Sequence, residues 1–208
     1  YPGALDMKVT YTLDEENGLT IHYEAVPDQD TVINMTNHSY FNLNGHKSGS
    51  VLHHRMQILS DAFTPADAQS IPTGEICSVD GTPMDFRSTK ELGAEIDAAY
   101  EPLILGNGYD HNWVLKNEGR FDKVAEVTGD ESSIVMEVWT DRPGVQVYTA
   151  NFLENEAGRN GAVYQKREAV CLETQNYPDA VHQKNFPEAI CKKGETYDTK
   201  TAYRFHIE

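Results

Sequence analysis

Three separate segments of the sequence each place one proton-transferring side chain among apolar residues or glycines. His38 lies in "NHSYF", Asp110 in "GNGYDHNW" and Glu173 in "AVCLETQNY". Imidazole and carboxylate groups are common general acids and bases in enzymes that work near neutral pH. Each residue alone also has an ordinary structural explanation, as a structural His, a turn Asp or a solvent-facing strand Glu. Their spacing therefore leaves acid–base catalysis and a purely structural role both open.

Amide and aromatic side chains accompany these groups and favour the functional interpretation. Gln146, in "PGVQVYTANF", is expected on the same strand face as Tyr148, and the chain contains 11 Tyr, 7 Phe and 2 Trp. Aromatic rings can stack on the C–H faces of a sugar while amides and carboxylates bind its hydroxyl groups. The "GNG" at residues 106–108 does not extend to G-x-G-x-x-G, and the sequence contains no P-loop motif. The combination of carboxylates, amides and aromatic rings without a nucleotide-binding motif predicts a pocket for a hydroxyl-rich ligand.

The segment around His38, "NMTNHSYFNL" at residues 34–43, mixes six hydrogen-bonding side chains with four apolar ones. Buried polar groups are costly unless they are paired. Four interpretations fit such a segment: a structural polar knot, a metal site, a glycosylation site or part of a pocket. The most economical is a strand and loop that deliver His38 to a pocket, with Tyr40 and Phe41 packing around it and the asparagines tying down the backbone.

Metal binding and glycosylation are less consistent with the residue spacing. His38, His46, His53 and His54 are close in sequence, but their spacings match no standard zinc pattern. Adjacent residues of a strand also point to opposite faces, which would separate His53 from His54. Two N-x-[ST] triplets begin at residues 34 and 37, but this short motif is frequent by chance. We therefore expect no metal and no cofactor.

The composition argues against several classes of partner. Asp and Glu number 33 against 17 Lys and Arg, which gives a net charge of −16. Such a surface repels nucleic-acid backbones and anionic lipids, so we expect neither nucleic acid nor membrane among the partners. No apolar run approaches the roughly 20 residues that a transmembrane helix needs. Three cysteines at wide spacings fit no disulfide framework, which favours reduced thiols and a cytoplasmic location.

Alternating apolar and polar residues predict a mainly β protein. Residues 7–13 and 19–25 both alternate, and the "NG" at 17–18 predicts a hairpin with φ > 0 at both turn positions. Further strands are predicted at residues 56–59, 134–140, 145–152, 170–175 and 197–207. The best helical signal is the capping box "STKE" at 88–91, followed by Leu92 and Ile96. With no βαβ rhythm, repeat or linker, we expect one domain over residues 1–208, an antiparallel β-sandwich with long loops.

Eight blocks, in order along the chain, resemble the aldose 1-epimerase (galactose mutarotase) family. They are "TNHSYFNL", "IPTGE", "GTPMDFR", "GYDHN", "PGVQVYTANF", "CLETQNYPDA", "NFP" and "GETY...YRF". Eight blocks in the same order are far more specific than any one of them. The resemblance implies a large antiparallel β-supersandwich with a sugar in an open cleft. It also implies interconversion of the α and β anomers of a free hexose, glucose or galactose, without a cofactor.

The resemblance further implies a role for each site residue. His38 would be the general acid and Glu173 the general base. Asp110 would hold sugar hydroxyls, and Gln146 and Tyr40 would line the site. Family members extend upstream of the "YPG" at the start of this chain, and that part carries a further His and Arg of the site. We therefore expect the fold to lack its N-terminal part here. The expected partner is a monosaccharide, and the missing N-terminal part is either a separate chain of the same protein or absent.

Three other functions remain open at this point. A non-catalytic sugar-binding module would keep the pocket but would not need a matched acid and base. A hexose-phosphate epimerase on the same fold would need arginines clustered at the pocket mouth, whereas the arginines here are scattered in the sequence. A glycosidase would use Asp110 and Glu173 as a carboxylate pair at a defined separation.

Overall fold

A computed structural model describes residues 1–208, which form almost only β-structure. The strands are β1 (Leu5–Leu13), β2 (Gly18–Pro27), β3 (Thr31–Val32), β4 (Arg55–Ile58), β5 (Ala62–Thr64), β6 (Cys77–Ser78), β7 (Lys90–Glu91), β8 (Asp110–Val114), β9 (Asp122–Thr128), β10 (Ile134–Thr140), β11 (Gly144–Tyr148), β12 (Glu156–Ala157), β13 (Val163–Tyr164), β14 (Cys171–Gln175), β15 (Ile190–Cys191) and β16 (Tyr197–Ile207). One short α-helix, α1 (Glu101–Gly106), and a 3₁₀ turn at Arg159–Gly161 complete the regular structure. Neither helix has the length and apolar character needed to cross a membrane.

Two antiparallel sheets dominate the fold. Seven strands of the larger sheet follow the order β1-β2-β16-β10-β9-β4-β7, and five strands of the smaller follow β14-β11-β8-β5-β6. The pairs β12–β13 and β15–β3 form separate two-stranded ribbons. One cluster of 29 buried apolar residues contains side chains from both large sheets, so the sheets share a core. The antiparallel β architecture predicted from the alternation is confirmed.

The predicted strands agree closely with the observed ones. β10 and β16 coincide with the predicted residues 134–140 and 197–207, and β4 and β14 match within one residue. The prediction for residues 145–152 is too long, because β11 ends at Tyr148. Ala150 has a φ of 50°, a left-handed conformation that turns the chain out of the sheet before Phe152.

The first hairpin forms as predicted, but its turn is longer than a two-residue loop. β1 pairs with β2 from Leu5 opposite Pro27 to Leu13 opposite Leu19. Only Asn17 takes a positive φ, of 60°, while Gly18 already begins β2. The Asp14 carboxylate closes the loop by accepting the backbone N–H groups of Glu16 and Gly18. A left-handed residue at the end of a longer turn matches the right-handed twist of the two strands, as the predicted two-residue turn would also do.

The predicted helix at the capping box is wrong. Lys90 and Glu91 form β7, and Glu91 pairs with Arg55 of β4. Leu92 and Ile96 are buried as expected, but the N–H of Leu92 donates to His54 of the neighbouring segment instead of to a helical turn. Tertiary pairing overrides local propensity here, helped by a glycine at position 93, which weakens a helix.

The observed helix α1 follows instead at Glu101–Gly106. Its start has proline in the first turn, where the missing N–H costs nothing. Its end is capped by Asn107 in the left-handed conformation, whose N–H donates to carbonyls of the last turn.

The edge strand β1 leaves one apolar face uncovered. Its Val9 and Tyr11 lie opposite Tyr23 and Ile21 of β2, so all four point to the same side of the sheet. Tyr23 and Ile21 are buried, whereas 38% of Val9 and 62% of Tyr11 are exposed. The core therefore ends at β2, although the apolar pattern continues onto β1.

Candidate active site

One face of the smaller sheet carries three of the predicted site residues. Asp110 begins β8, Gln146 lies in β11 and Glu173 lies in β14, which are neighbouring strands. Gln146 is directly opposite Glu173, and Tyr148 is directly opposite Asp110. Opposed residues of antiparallel strands point to the same face, so the four side chains form one polar and aromatic surface.

The other face of these strands fixes that surface to the core. Trp113, Val147 and Leu172 alternate with the site residues and are fully buried. The indole N–H of Trp113 donates to the carbonyl of Met84 at 3.0 Å, which satisfies its polar group inside the core. The site residues therefore stand on a rigid platform.

His38 comes from a segment without regular secondary structure, and the two ends of this segment are tied to the residues that flank β14. Phe41 forms an isolated bridge with Val170, exchanging two backbone hydrogen bonds of 2.9 Å. The Asn34 side chain pairs with the backbone of Asn176, accepting its N–H at 2.8 Å and donating to its carbonyl at 3.1 Å. These ties place His38 above the carboxylate of Glu173. The polar segment is thus partly a backbone anchor and partly a site element.

The acid and base candidates contact each other directly. His38 Nε2 lies 3.3 Å from Glu173 Oε1. The Glu173 side chain is buried, while half of the His38 side chain is exposed. A buried carboxylate beneath an accessible imidazole is suited to receiving and delivering protons on a ligand that enters from solvent.

Aromatic rings form the wall beside this pair. Tyr40 stacks on the His38 ring, with centroids 5.1 Å apart, and Tyr148 meets the same ring edge-on at 6.2 Å. Tyr148 also stacks with Phe152, at 6.5 Å. Such rings limit the movement of His38 and offer apolar faces to a ligand.

All five predicted site residues line one open cleft of about 440 Å³. The cleft is lined by His38, Tyr40, Asp110, Gln146, Tyr148, Phe152, Glu173, Gln175 and Pro178. Four of these were not predicted as site residues. Strand alternation could have added Tyr148 and Gln175, since they share faces with Gln146 and Glu173. Phe152 and Pro178 lie outside the strands and had no periodic signal.

The environment of Glu173 shifts its ionisation toward neutral pH. Burial raises the pKa of the Glu173 carboxyl to about 7, the nearby His38 opposes this shift, and the charge of Asp110 adds to it. A carboxyl with a pKa near the working pH can both accept and release a proton readily.

Asp110 is held by a neighbouring amide and by the backbone next to it. Burial raises the pKa of Asp110. Two neighbours lower it: the Gln146 amide, which donates a hydrogen bond of 2.8 Å to Oδ1 of Asp110, and His38. The backbone N–H of Asp110 donates to Nδ1 of His111 at 3.1 Å. Burial lowers the pKa of His111 to about 4, so this imidazole is neutral and can accept that hydrogen bond.

The other histidines considered as metal ligands have separate partners. His54 is buried, with Nδ1 at 2.9 Å from Asp130, and its Nε2 accepts the N–H of Leu43. His46 contacts Tyr164, and His53 contacts Glu91 on the surface. The four histidines are therefore not gathered into one ligand set.

The arginines of this chain lie away from the cleft. No Lys or Arg is among the residues that line it. Five of the arginines instead form ion pairs with nearby carboxylates: Arg55–Glu208, Arg87–Asp85, Arg120–Asp122, Arg142–Asp141 and Arg167–Asp97. This chain supplies no cationic cluster for a phosphate group at the cleft mouth.

The sequence matches the family model described as aldose 1-epimerase over residues 1–204. The chain belongs to the aldose 1-epimerase family. The resemblance carried by the eight sequence blocks is thereby confirmed.

Relatives in the aldose 1-epimerase family include enzymes and solved structures. The chain is 45% identical to galactose mutarotase of Homo sapiens and 36% identical to aldose 1-epimerase of Escherichia coli K12. It superposes with a TM-score of 0.88 on the crystal structure of the GalM/aldose epimerase homologue from C. elegans, at 27% identity over 99% of this chain and 61% of that one. For galactose 1-epimerase from Lactobacillus acidophilus NCFM the TM-score is 0.85, at 26% identity over 100% of this chain and 58% of that one. The mutarotase-like fold is confirmed.

The chain spans about three-fifths of the length of these relatives. The alignments cover 100% of this chain but only 59% of the human protein and 60% of the Escherichia coli protein.

Proposed function

We propose that this protein is an aldose 1-epimerase, an isomerase that interconverts the α and β anomers of a free hexose such as glucose or galactose. The observation that carries the proposal is the 3.3 Å approach of His38 Nε2 to Glu173 Oε1 in a cleft lined by aromatic and amide side chains. Family membership and the names of the relatives, galactose mutarotase and aldose 1-epimerase, support the same activity.

Anomer exchange needs an acid and a base that converge on one carbon atom. Glu173 takes the proton of the C1 hydroxyl, while the protonated His38 gives a proton to the ring oxygen. The C1–O5 bond breaks, C1 becomes an aldehyde, and rotation about C1–C2 presents its other face. Reclosure reverses both proton transfers. Because both oxygens are bonded to C1, the two groups must lie close together, and the geometry of the cleft satisfies this condition.

The remaining residues of the cleft bind and orient the sugar. Asp110 accepts hydrogen bonds from sugar hydroxyls, and Gln146 fixes the orientation of the Asp110 carboxylate through its own hydrogen bond. Tyr40 lines the site beside His38 and offers its ring to the C–H face of the sugar. Each positioned proton transfer is typically worth about 10²–10⁴-fold in rate.

Two rival functions fit the cleft less well. A hexose-phosphate epimerase would need cations at the cleft, and this chain places none there. A sugar-binding module would have no use for a buried carboxylate beneath an imidazole, since burying that charge is unfavourable.

We also infer that a polypeptide segment outside these 208 residues contributes to the working protein, because the relatives are longer than this chain. An N-terminal segment of the same protein, present as a separate chain, would fill this role. Activity should accordingly be measured on the protein together with any segment that accompanies it.

Substitution of Glu173 by Gln tests the proposal. The change keeps the size and the hydrogen bonding of the side chain but removes the base, so exchange between the anomers should slow by at least about 100-fold. Exchange is followed by NMR magnetisation transfer between the anomeric protons of galactose or glucose, and sugar binding by calorimetry.

Binding should persist within a few-fold, because the side-chain amide of the Glu173→Gln variant would still accept and donate hydrogen bonds. Gln57→Glu serves as a matched control, since it exchanges the same two residue types in β4 of the other sheet. Full exchange activity in Glu173→Gln would remove Glu173 from the base role.

A further inference from the structure

A third side chain with ligand chemistry lies beside the acid–base pair. Cys171 and Glu173 are two residues apart on β14, so their side chains share a face of the strand. The sulfur of Cys171, an imidazole nitrogen of His38 and a carboxylate oxygen of Glu173 all lie within 4.8 Å of one another. The proton transfers proposed above make no use of Cys171.

The spacing of these three atoms is close to that of a zinc site. Tetrahedral zinc bonds N and O ligands at about 2.0–2.2 Å and sulfur at about 2.3 Å, which places its ligand atoms about 3.3–3.6 Å apart. His38 Nε2 and Glu173 Oε1 already have a separation of 3.3 Å. The Cys171 sulfur lies within 4.8 Å of both atoms, so it needs to move by at most about 1.5 Å to reach this spacing. His38 and Glu173 line the cleft and Cys171 does not, so a fourth ligand would approach the ion from the cleft.

The charge around the three atoms favours a cation. Asp110 and Glu173 both line the cleft, and no Lys or Arg does. The whole chain carries a net charge of −16. Two of the three ligand residues, Cys171 and Glu173, are buried, so a bound ion would be attracted in a medium of low dielectric constant.

We propose that His38, Cys171 and Glu173 form a binding site for a thiophilic divalent cation, Zn²⁺ or Cd²⁺, which occupies the place of the sugar and inhibits the protein. The S–H bond of Cys171 is replaced by an S–metal bond, and the thiol proton passes to solvent, with no change of oxidation state. Hard cations such as Mg²⁺ and Ca²⁺ gain little from a thiolate and an imidazole, so the site selects against them.

Direct titration with Cd²⁺ tests the site without reference to catalysis. A thiolate bonded to Cd²⁺ produces a ligand-to-metal charge-transfer band in the ultraviolet. The wild-type protein should show this band, saturating at one Cd²⁺ per chain and disappearing when EDTA is added. Tenfold excess Mg²⁺ should leave the band unchanged.

Four variants locate the ion. Cys171→Ser should abolish the band, and Cys77→Ser and Cys191→Ser, which remove the other two free thiols, should retain it. His38→Asn should weaken Cd²⁺ binding at least tenfold. Because His38 is half-exposed, its substitution leaves the core intact and keeps the test decisive even if Cys171→Ser fails to fold.

The outcomes separate this inference from the proposed function. The absence of a saturable band, its persistence in Cys171→Ser, or unchanged affinity in His38→Asn would each overturn the metal site. The expected band in a protein that does not exchange anomers, even together with any segment that accompanies it, would refute the epimerase and leave the metal site standing.

Discussion

Glu173 combines burial with contact to an accessible imidazole, and this combination sets its chemistry. Burial raises the pKa of its carboxyl to about 7, so both the protonated and the charged form are populated at neutral pH. The register of β14 on β11 gives this carboxylate a fixed position opposite Gln146. We attribute the capacity of the site for proton transfer to this one buried carboxyl and to the His38 ring that lies over it.

His111 predicts a dependence of stability on pH that is separate from the cleft carboxylates. Its pKa is lowered from 6.5 to about 4, mainly by burial. The unfolded chain therefore takes up a proton below pH 6.5 while the folded chain does not, so stability is full above pH 6.5 and falls as the pH drops toward 4. This residue should account for a loss of about 2 kcal/mol between pH 7 and pH 5.

Urea unfolding at both pH values, in wild type and in His111→Gln, measures that loss. The variant should lose about 2 kcal/mol less between the two pH values than wild type does, because Gln does not titrate and the other groups are common to both proteins. An equal loss in the two proteins would contradict the neutral, buried state of His111.

The sequence singled out five of the nine residues that line the cleft, but not the ionisation of its carboxyl groups. His38, Asp110 and Glu173 could be selected because each stands alone among apolar or glycine neighbours. Alternation put Glu173 on one face of its strand, where a solvent-exposed position was the ordinary expectation. Its burial depends on the 34–43 segment and on the neighbouring strands, which are remote in sequence.

At the scale of elements, the irregular segment that carries His38 depends on side-chain ties. Asn34 anchors it to Asn176, just after β14. Asn34→Ala should lower kcat/KM by about tenfold or more, because small displacements of a catalytic group have large effects on rate. The unfolding free energy should fall by about 1–2 kcal/mol for the lost hydrogen bonds.

Asn44→Ala provides the matched control for that variant. Asn44 makes three comparable hydrogen bonds, to Asp130, Glu131 and Ser132, outside the cleft. It should lose similar stability, measured by urea unfolding, but keep its kcat/KM for anomer exchange. Equal loss of activity in both variants would show that Asn34 acts only through stability.

Strand prediction succeeded where alternation was strong and failed where tertiary pairing decided the structure. β10 and β16 follow directly from their apolar period. The capping box at Ser88 satisfied the local rules for a helix, yet pairing of Glu91 with Arg55 draws that segment into a sheet. The α1 helix was missed because it is only six residues long.

At the scale of the whole molecule, the uncovered face of β1 predicts self-association of the 208-residue chain. Exposed apolar side chains on an edge strand are a site of association between molecules. Val9→Lys and Tyr11→Lys should reduce association, measured by sedimentation velocity, with a change in unfolding free energy of less than about 1 kcal/mol.

Ile21→Ala is the contrasting variant in the same sheet. Ile21 faces the same side but is fully buried, so its truncation should lower stability by about 2–5 kcal/mol. If Tyr11→Lys lowers the unfolding free energy as much as Ile21→Ala does, the apolar face of β1 is covered, and its exposure to solvent is contradicted.

Sequence reasoning alone could not order the strands of either sheet. β8, β11 and β14 are neighbours in space but are separated along the chain by strands of other sheets. Only the family resemblance indicated that "GYDHN", "PGVQVY" and "CLETQ" would meet. The organisation of residues 1–208 as a single domain stays a prediction, although one apolar cluster contains side chains of both large sheets.

In the proposed mechanism His38 and Glu173 act together on one sugar, and a double-mutant cycle on kcat/KM for anomer exchange measures whether they do. Groups that act as a unit have strongly non-additive effects, so His38→Asn combined with Glu173→Gln should be little slower than the slower single variant. If the two losses multiply, so that the double variant is slowed by the product of the single effects, the residues act independently and the paired mechanism is contradicted.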